Sequence, residues 1–283
     1  MRMKKNFYLF GVFMALALSF TACQKDTAVD PQQDSQAVVH EMGAIMLPEE
    51  EYAKIPEAQF TLDDLLKTLP TSVALNTPVV RNQGGEGSCV AWGTTYAARS
   101  ITKFAAANGN LWTNTSNIMS PEFVYNQIKV STCASGAYVT SGLNLLRDKG
   151  ACTWSSMPYT DVECSTQPNA SQLAEATNYK ITYAKVNINV NDIKTHLVAG
   201  RAVVVGGPVS NDFMYLKNGA VLTRFKGKSL GGHCYCVVGY DDAKNAFKFQ
   251  NSWGPTWASS GFGWINYNNI GSWWQEAYVM YNN

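Results

Sequence analysis

The chain predicts an α+β fold of two lobes, a helical left lobe and an antiparallel β right lobe, with a cleft between them. Three observations carry that expectation. Helix signals cluster before residue 150, whereas β-branched and aromatic runs separated by turns dominate after residue 200. No segment repeats, and residues 61–283 suffice for one large domain or two closely packed lobes. The two side chains best suited to chemistry, Cys89 and His233, fall in different halves, so a shared site must lie where the halves meet.

Taken in order, the N-terminus reads as an export signal. Arg2, Lys4 and Lys5 precede an apolar run over residues 7–20 that is too short to span a bilayer as a stable helix. The run ends at Phe20-Thr21-Ala22-Cys23, which resembles a bacterial lipoprotein signal (residues 1–22) cleaved before Cys23, whose thiol then carries lipid. Ordinary secretory cleavage nearby is the alternative. Gln24 resembles outer-membrane sorting and Gln24-Lys25-Asp26 a surface-export tag, so the expected location is an outer-membrane lipoprotein facing the periplasm or the cell surface. Residues 24–60 hold eight acidic residues against two basic, the composition of a flexible tether or of a short propeptide docked over the cleft. Residues 61–283 then carry about +4 of formal charge, too diffuse to argue for nucleic acid.

Within that span Cys89 opens a helix expected to reach residue 107 and stop at Asn108-Gly109-Asn110. Ser120-Pro121-Glu122, a cap with proline at N1, opens a helix over residues 123–129, and another covers 141–147 before Lys149-Gly150. Residues 190–199 read as a helix with His196 on its surface. Strands are expected at 202–205, 233–240, 246–250, 263–267 and 277–281, with residues 241–245 as a hairpin loop. Of the seven cysteines, Cys234 and Cys236 share one strand face and read as small buried residues. One disulfide is expected among Cys133, Cys152 and Cys164, as Cys152–Cys164 or Cys133–Cys164. A zinc site of His233, Cys234 and Cys236 lacks a fourth partner at ligand spacing, so no metal and no cofactor are expected.

The chemistry concentrates in three stretches. Gln83-Gly84-Gly85-Glu86-Gly87-Ser88-Cys89 sets an amide six residues ahead of a thiol at a helix N-terminus, where unpaired N–H groups and the helix dipole favour thiolate. His233 stands at the mouth of a strand entered through Gly231 and Gly232, placed to face a cleft as a base. Eighteen residues on, Asn251-Ser252-Trp253-Gly254 supplies an amide to orient the imidazole and an indole to cover that bond.

Together these stretches, with Gly239-Tyr240 after the histidine and Trp257 and Gly261 after the asparagine, resemble the papain-like cysteine peptidases over residues 69–281. The resemblance implies a papain-like peptidase domain over residues 61–283, with Cys89 as nucleophile, His233 as base and acid, Asn251 as its orienter, and the Gln83 amide with the Cys89 N–H as oxyanion hole. It also implies a thiolate–imidazolium pair at rest. Ser135, Gly136, Gly232 and Trp253 fall where the family holds substrate, and Gly206, Gly231 and Cys234 around a pocket that would be apolar, without fixed charge. Glu86 stands where the family usually has a cross-linking cysteine, Val90 where it has an aromatic, and Gly232 where it has Asp or Asn. The expected function is a lipid-anchored, monomeric cysteine endopeptidase acting on proteins or peptides. The competing class is a non-catalytic peptide-binding lipoprotein on the same fold, against which the complete Gln–Cys–His–Asn set argues.

Overall fold

The computed structural model describes residues 40–104 and 111–283. The export signal, Cys23 and residues 24–39 of the acidic stretch therefore lie outside the described residues, as does the expected end of the Cys89 helix. The described residues form ten strands: β1 (Ala44–Ile45), β2 (Ser72–Ala74), β3 (Ala137–Tyr138), β4 (Ile181–Lys185), β5 (Val203–Val209), β6 (Val221–Leu222), β7 (Gly231–Asp241), β8 (Ala246–Gln250), β9 (Phe262–Asn266) and β10 (Glu276–Asn282). β1 and β3 form a small parallel pair, and the other eight form one sheet in the order β4-β10-β5-β7-β8-β9-β6, with β2 also on β7. The sheet is antiparallel apart from the β6–β9 pair.

Cys89–Ala91, Trp92–Arg99 and Ser100–Lys103 follow one another as a continuous helix, its middle wound at the wider π pitch. Every residue from Cys89 to Arg99 is buried, so this helix lies inside the protein. Its small residues let the sheet come close: a Cβ on Gly93 would lie 2.8 Å from the Cys234 sulfur. Pro121–Ile128 starts at the Ser120 cap, whose hydroxyl accepts from Phe123 N–H, and Val139–Asp148 packs beside it. These helices bury Val90, Phe123, Tyr125, Leu143 and Leu146 in one core.

Alternation along β7 divides the interior. Cys234, Cys236 and Val238 face the helical core, while Tyr235 and Val237 face a second core with Phe213, Phe249, Trp253, Trp257 and Trp273. His233 shares the face of Tyr235, so it belongs to the aromatic side, at the end where β7 meets the helical lobe. The alternation also turns His233 away from Cys234 and Cys236, so the three do not converge as metal ligands. The helix Val190–Val198 forms as expected, but His196 is buried in it rather than exposed. Its ring lies against Phe60 at 4.7 Å, its Nδ1 accepts from Arg201 Nε, and burial drives its pKa down to about 4. The partner that covers it comes from outside the helix, from a segment that its own periodicity does not report.

Residues 40–66 wrap the body of the fold. Tyr52 donates to Ala277 O, Ala58 N–H to Lys185 O, and Asp64, in a capping box with Thr61, pairs with Arg201 at 2.9 Å.

The disulfide is Cys133–Cys164, leaving Cys89, Cys152, Cys234 and Cys236 free and buried. The bond joins positions 31 residues apart, and loop entropy puts its loss at about 3–4 kcal/mol. Urea unfolding of the Cys133→Ala/Cys164→Ala chain should show that loss as a lower midpoint and reduced extrapolated stability; an unchanged stability would deny the bond a role.

Candidate active site

Cys89 is the first residue of the buried helix, and its sulfur is fully enclosed. The turn before it is pinned from several sides. Gln83 N–H donates to Ser252 O, Ser252 Oγ donates to Gln83 Oε1 at 2.6 Å, and Gln83 Nε2 donates to Glu86 O at 2.9 Å. Gly87 N–H donates to Cys133 O, tying the turn to the disulfide. The Gln83 amide, itself fully buried, thereby links the turn ahead of Cys89 to the Asn251–Trp253 segment.

His233 and Asn251 meet at 2.7 Å through Nε2 and Oδ1. Asn251 Oδ1 also accepts from Ser252 N–H, which fixes the amide's orientation. An acceptor opposite Nε2 places the ring proton there and leaves Nδ1 with a lone pair, and Nδ1 has no hydrogen-bond partner among the described residues. Trp253 stacks on the imidazole at 4.5 Å and covers the bond, while Phe213 meets the same ring edge-on. Of the four groups read from the sequence, Asn251 bonds His233 on β7, Gln83 is tied to Ser252 beside Asn251, and the Cys89 thiol reaches β7 at the Cys234 backbone.

Residues 40–47 lie across this site, and sequence reasoning did not single them out. Gly43 N–H donates to Gly232 O on the sheet side at 3.2 Å, and Gly43 O accepts from Ala137 N–H on the helical side at 2.8 Å. β1 then pairs in parallel with β3, and the Gly43 backbone lies against the Cys89 sulfur. A Cβ on Gly43 would overlap the Gly87 carbonyl oxygen, so only glycine passes there. His40 stacks on the outer face of Trp253 at 4.7 Å, and Trp253 Nε1 donates to Glu41 O. The signal was present in the sequence as Met42-Gly43-Ala44-Ile45-Met46, an apolar run around a glycine inside an acidic stretch.

Burial pushes the Cys89 thiol up to about 12 although backbone groups of Cys234, Gly43, Val90 and Cys89 draw it back, and burial drives His233 down to about 4 although Asn251 opposes that. In this covered arrangement burial disfavours charge on each member of the pair that the resemblance implied.

The substrate-side residues are sorted by the same segment. Gly232 and Trp253 receive strap contacts directly. A Cβ on Gly136 would overlap the Gly43 carbonyl oxygen, while the hydrogen bond comes from the next residue, Ala137. Ser135 instead has its hydroxyl bonded to Thr132. Met46 fills a slot over Gly206, with its sulfur 3.1 Å from where a Cβ there would stand and Val139 on the other side. The slot is not free of charged groups, as the small residues had suggested. Glu276 is the cross-strand partner of Gly206, it accepts from Leu47 N–H and from Tyr278 OH, and burial raises its pKa. Glu276 enters from β10, far along the chain from the residues that line the rest of the slot.

Glu86 is 2% exposed, and burial lifts its carboxyl to about 7, with Glu122, Asp161 and Glu163 adding to the shift and the Tyr159 hydroxyl opposing it. It lies within 4.8 Å of the Cys133 and Cys164 sulfurs, but these are bonded to each other and offer no thiolate.

Comparison with known proteins agrees with this architecture. Residues 70–281 match the family described as papain family cysteine protease. An uncharacterised peptidase C1-like protein of Acanthamoeba polyphaga mimivirus is 26% identical over 64% of this chain and 62% of its own length. Chymopapain of Carica papaya is 28% identical over 65% of this chain and 50% of its own, so the chain spans about half to two-thirds of these curated relatives. Among solved structures, xylellain, a cysteine protease from Xylella fastidiosa, superposes with a TM-score of 0.69 at 26% identity, covering 86% of this chain and 97% of that one. With three quarters of its length matched to one family model and the two-lobe fold in place, the chain belongs to the papain family of cysteine proteases.

Proposed function

We propose that this chain is a cysteine endopeptidase made as a self-blocked precursor, with residues 40–47 as the block. The observation that carries the reading is the His233–Asn251 bond, which leaves Nδ1 without a partner among the described residues, on the residue next to Cys234, whose backbone meets the Cys89 thiol. Once the strap leaves and water enters, the desolvation that keeps both groups neutral is relieved, and the helix N-terminus favours thiolate. Cys89 then attacks a peptide carbonyl, and His233 takes the thiol proton and passes it to the leaving amine, releasing the first product and a thioester. Water attacks the thioester with His233 as base, and Cys89 is regenerated. The Gln83 Nε2–H and the Cys89 N–H receive the developing oxyanion. Gly232 O and Ala137 N–H, freed by the strap, become the backbone partners of an extended substrate.

The export signal at residues 1–22 and the lipid site at Cys23 support a membrane-tethered enzyme on the outer membrane, facing the periplasm or the surface, and the acidic stretch gives it reach. The competing reading, a peptide-binding lipoprotein without catalysis, does not account for an imidazole oriented for proton transfer.

With the strap released, as in a chain carrying Gly43→Val, a thiol-directed epoxide should label the protein once, at Cys89, and denatured casein should be cleaved. Cys89→Ala in that opened chain should lose labelling and about a thousandfold or more in kcat. An opened chain in which Cys89 reacts no faster than Cys152 or Cys234 would sink the reading.

Gly43→Val in the full chain removes two strap hydrogen bonds and adds a clash. At about 1 kcal/mol each before the clash, Cys89 alkylation by iodoacetamide should accelerate roughly ten- to a hundredfold. An unchanged rate would show that the strap does not block the thiol.

Loss of Leu47 also frees a Glu276 oxygen toward the slot that Met46 vacates. Peptides presenting Lys or Arg there should be preferred, and Glu276→Leu should lower their kcat/KM about tenfold or more relative to peptides presenting Leu. Parallel losses for both peptide sets would place Glu276 outside substrate selection.

A further inference from the structure

We infer that Glu86 is a positioning residue for the turn that carries Gln83 and Cys89, acting as a neutral acid that routes the Tyr159 phenol proton onto the Gln83 carbonyl. The inference rests on the proteolytic reading above, because the groups it positions are those assigned there to the reaction.

Counting protons carries the argument. The Tyr159 oxygen lies 2.7 Å from Ser88 Oγ, 2.7 Å from the Gln83 carbonyl oxygen and 3.0 Å from Glu86 Oε2. A phenol has one proton to give, and the Gln83 carbonyl has none. An ionised Glu86 has none either, so carboxylate and carbonyl compete for that single proton, and the charged acceptor wins. The Gln83 carbonyl is then left facing phenol lone pairs. A protonated Glu86 removes the conflict: its O–H and the Ser88 O–H both donate to the Tyr159 oxygen, and Tyr159 donates to Gln83 O. All three contacts are satisfied only in that state.

The effect reaches the reacting groups by short covalent paths. Glu86 O accepts from the Gln83 side-chain amide at 2.9 Å, so a shift of Glu86 moves the oxyanion donor directly. Ser88, the other end of the phenol contact, precedes Cys89. The resemblance to the family puts a cross-linking cysteine where Glu86 stands; here the turn is held by hydrogen bonds instead, beside the Cys133–Cys164 bond.

The surroundings favour the neutral acid. From the helix Pro121–Ile128, Glu122 and Tyr125 face the carboxyl, and from the segment after Trp154 come Tyr159, Asp161 and Glu163. Cys89 lies across the turn, where a negative charge on it or on Glu86 would disfavour ionisation of Tyr125. Lys129, the cation at the end of that helix, donates to Asn126 O and Cys164 O. Arg81 stands over Trp154, beyond the Tyr159 ring. Glu86 Oε1 has no hydrogen-bond partner among the described residues, a position a carboxylate oxygen seldom occupies. With its carboxyl lifted to about 7, Glu86 holds its proton below that pH and loses it above. Ionisation places a second negative charge near the Cys89 thiolate as well, so both consequences lower turnover in the same direction.

The test uses the full chain opened by Gly43→Val, taken as wild type at Glu86 and Tyr159, and the same opened chain carrying Glu86→Gln, Glu86→Ala or Tyr159→Phe. It reads kcat and KM against pH, with the infrared band of a protonated carboxyl measured in parallel. The wild type should show that band at pH 6, absent in Glu86→Gln, and a kcat limb falling about tenfold near pH 7 with KM nearly constant. Glu86→Gln, whose amide always donates to Tyr159, should retain turnover and lose the limb. Glu86→Ala and Tyr159→Phe should turn over about tenfold more slowly at pH 6 and also lack the limb. A missing carboxyl band, or a limb that persists in Glu86→Gln, overturns the inference alone. A chain that shows the band but hydrolyses nothing sinks the proteolytic reading, and the positioning role with it.

Discussion

The hydrogen bond from His233 Nε2 to Asn251 Oδ1 determines which nitrogen of the ring is left for chemistry, and the fold is arranged around keeping that choice fixed. Asn251 is held by the Ser252 N–H, Ser252 by Gln83, and Gln83 by the turn ahead of Cys89. Trp253 shields the bond on one side and the Phe213 cluster supports the ring on the other. A single chain of hydrogen bonds therefore runs from His233 through Asn251 and Ser252 to Gln83, crossing from the sheet segment to the turn ahead of the helix start. Low local dielectric strengthens each link, and it also makes any unpaired member costly.

On the proposed reading, the same dryness silences the site, and covering the pair is sufficient without a change in the Cys89 or His233 geometry. Gly43 lies across it with two backbone hydrogen bonds, one to each wall, and is the one residue type that fits beneath the Gly87 carbonyl. Met42 and Met46 fill the recesses over Gly231 and Gly206 without needing polar partners there. Blocking and substrate binding thus draw on one set of groups, and for that reason the strap marks the positions of the subsites.

Much of this could be read from the chain. The two-lobe division, the helix starting at Cys89 and the strand bearing His233 follow from local periodicity and turn chemistry, and three motifs in register identified the family. What escaped the sequence depends on approach in space. His196 is buried by Phe60, Glu276 reaches the slot from β10, and of the two pairings left open it is Cys133 that meets Cys164. The sequence offered this stretch as a tether or as a short propeptide over the cleft without choosing, because acidic composition describes average solubility, whereas the docked contacts centre on four apolar residues around a glycine. Glu86 was noticed as a departure, but its burial and its neutral state belong to Tyr159 and Glu122, 73 and 36 residues further along the chain.

Burial of ionisable groups also gives the precursor a direction of response to acid. Beneath the strap His233 has its pKa driven down to about 4, and the partly covered His40 is lowered too, so the closed state binds protons on these rings less tightly than an open, hydrated state would. Linkage then requires that protons favour opening. The closed state keeps its full advantage above the ordinary imidazole pKa of about 6.5 and loses it as pH falls toward 4. Glu86 responds oppositely: its raised pKa stabilises the fold below the ordinary carboxyl range, and that contribution is lost as pH rises through about 7. Acid therefore loosens the strap while preserving the turn beneath it. The two titrations lie on different segments and act through different contacts, so mild acidity releases the cover under conditions in which the Gln83–Cys89 turn is best held.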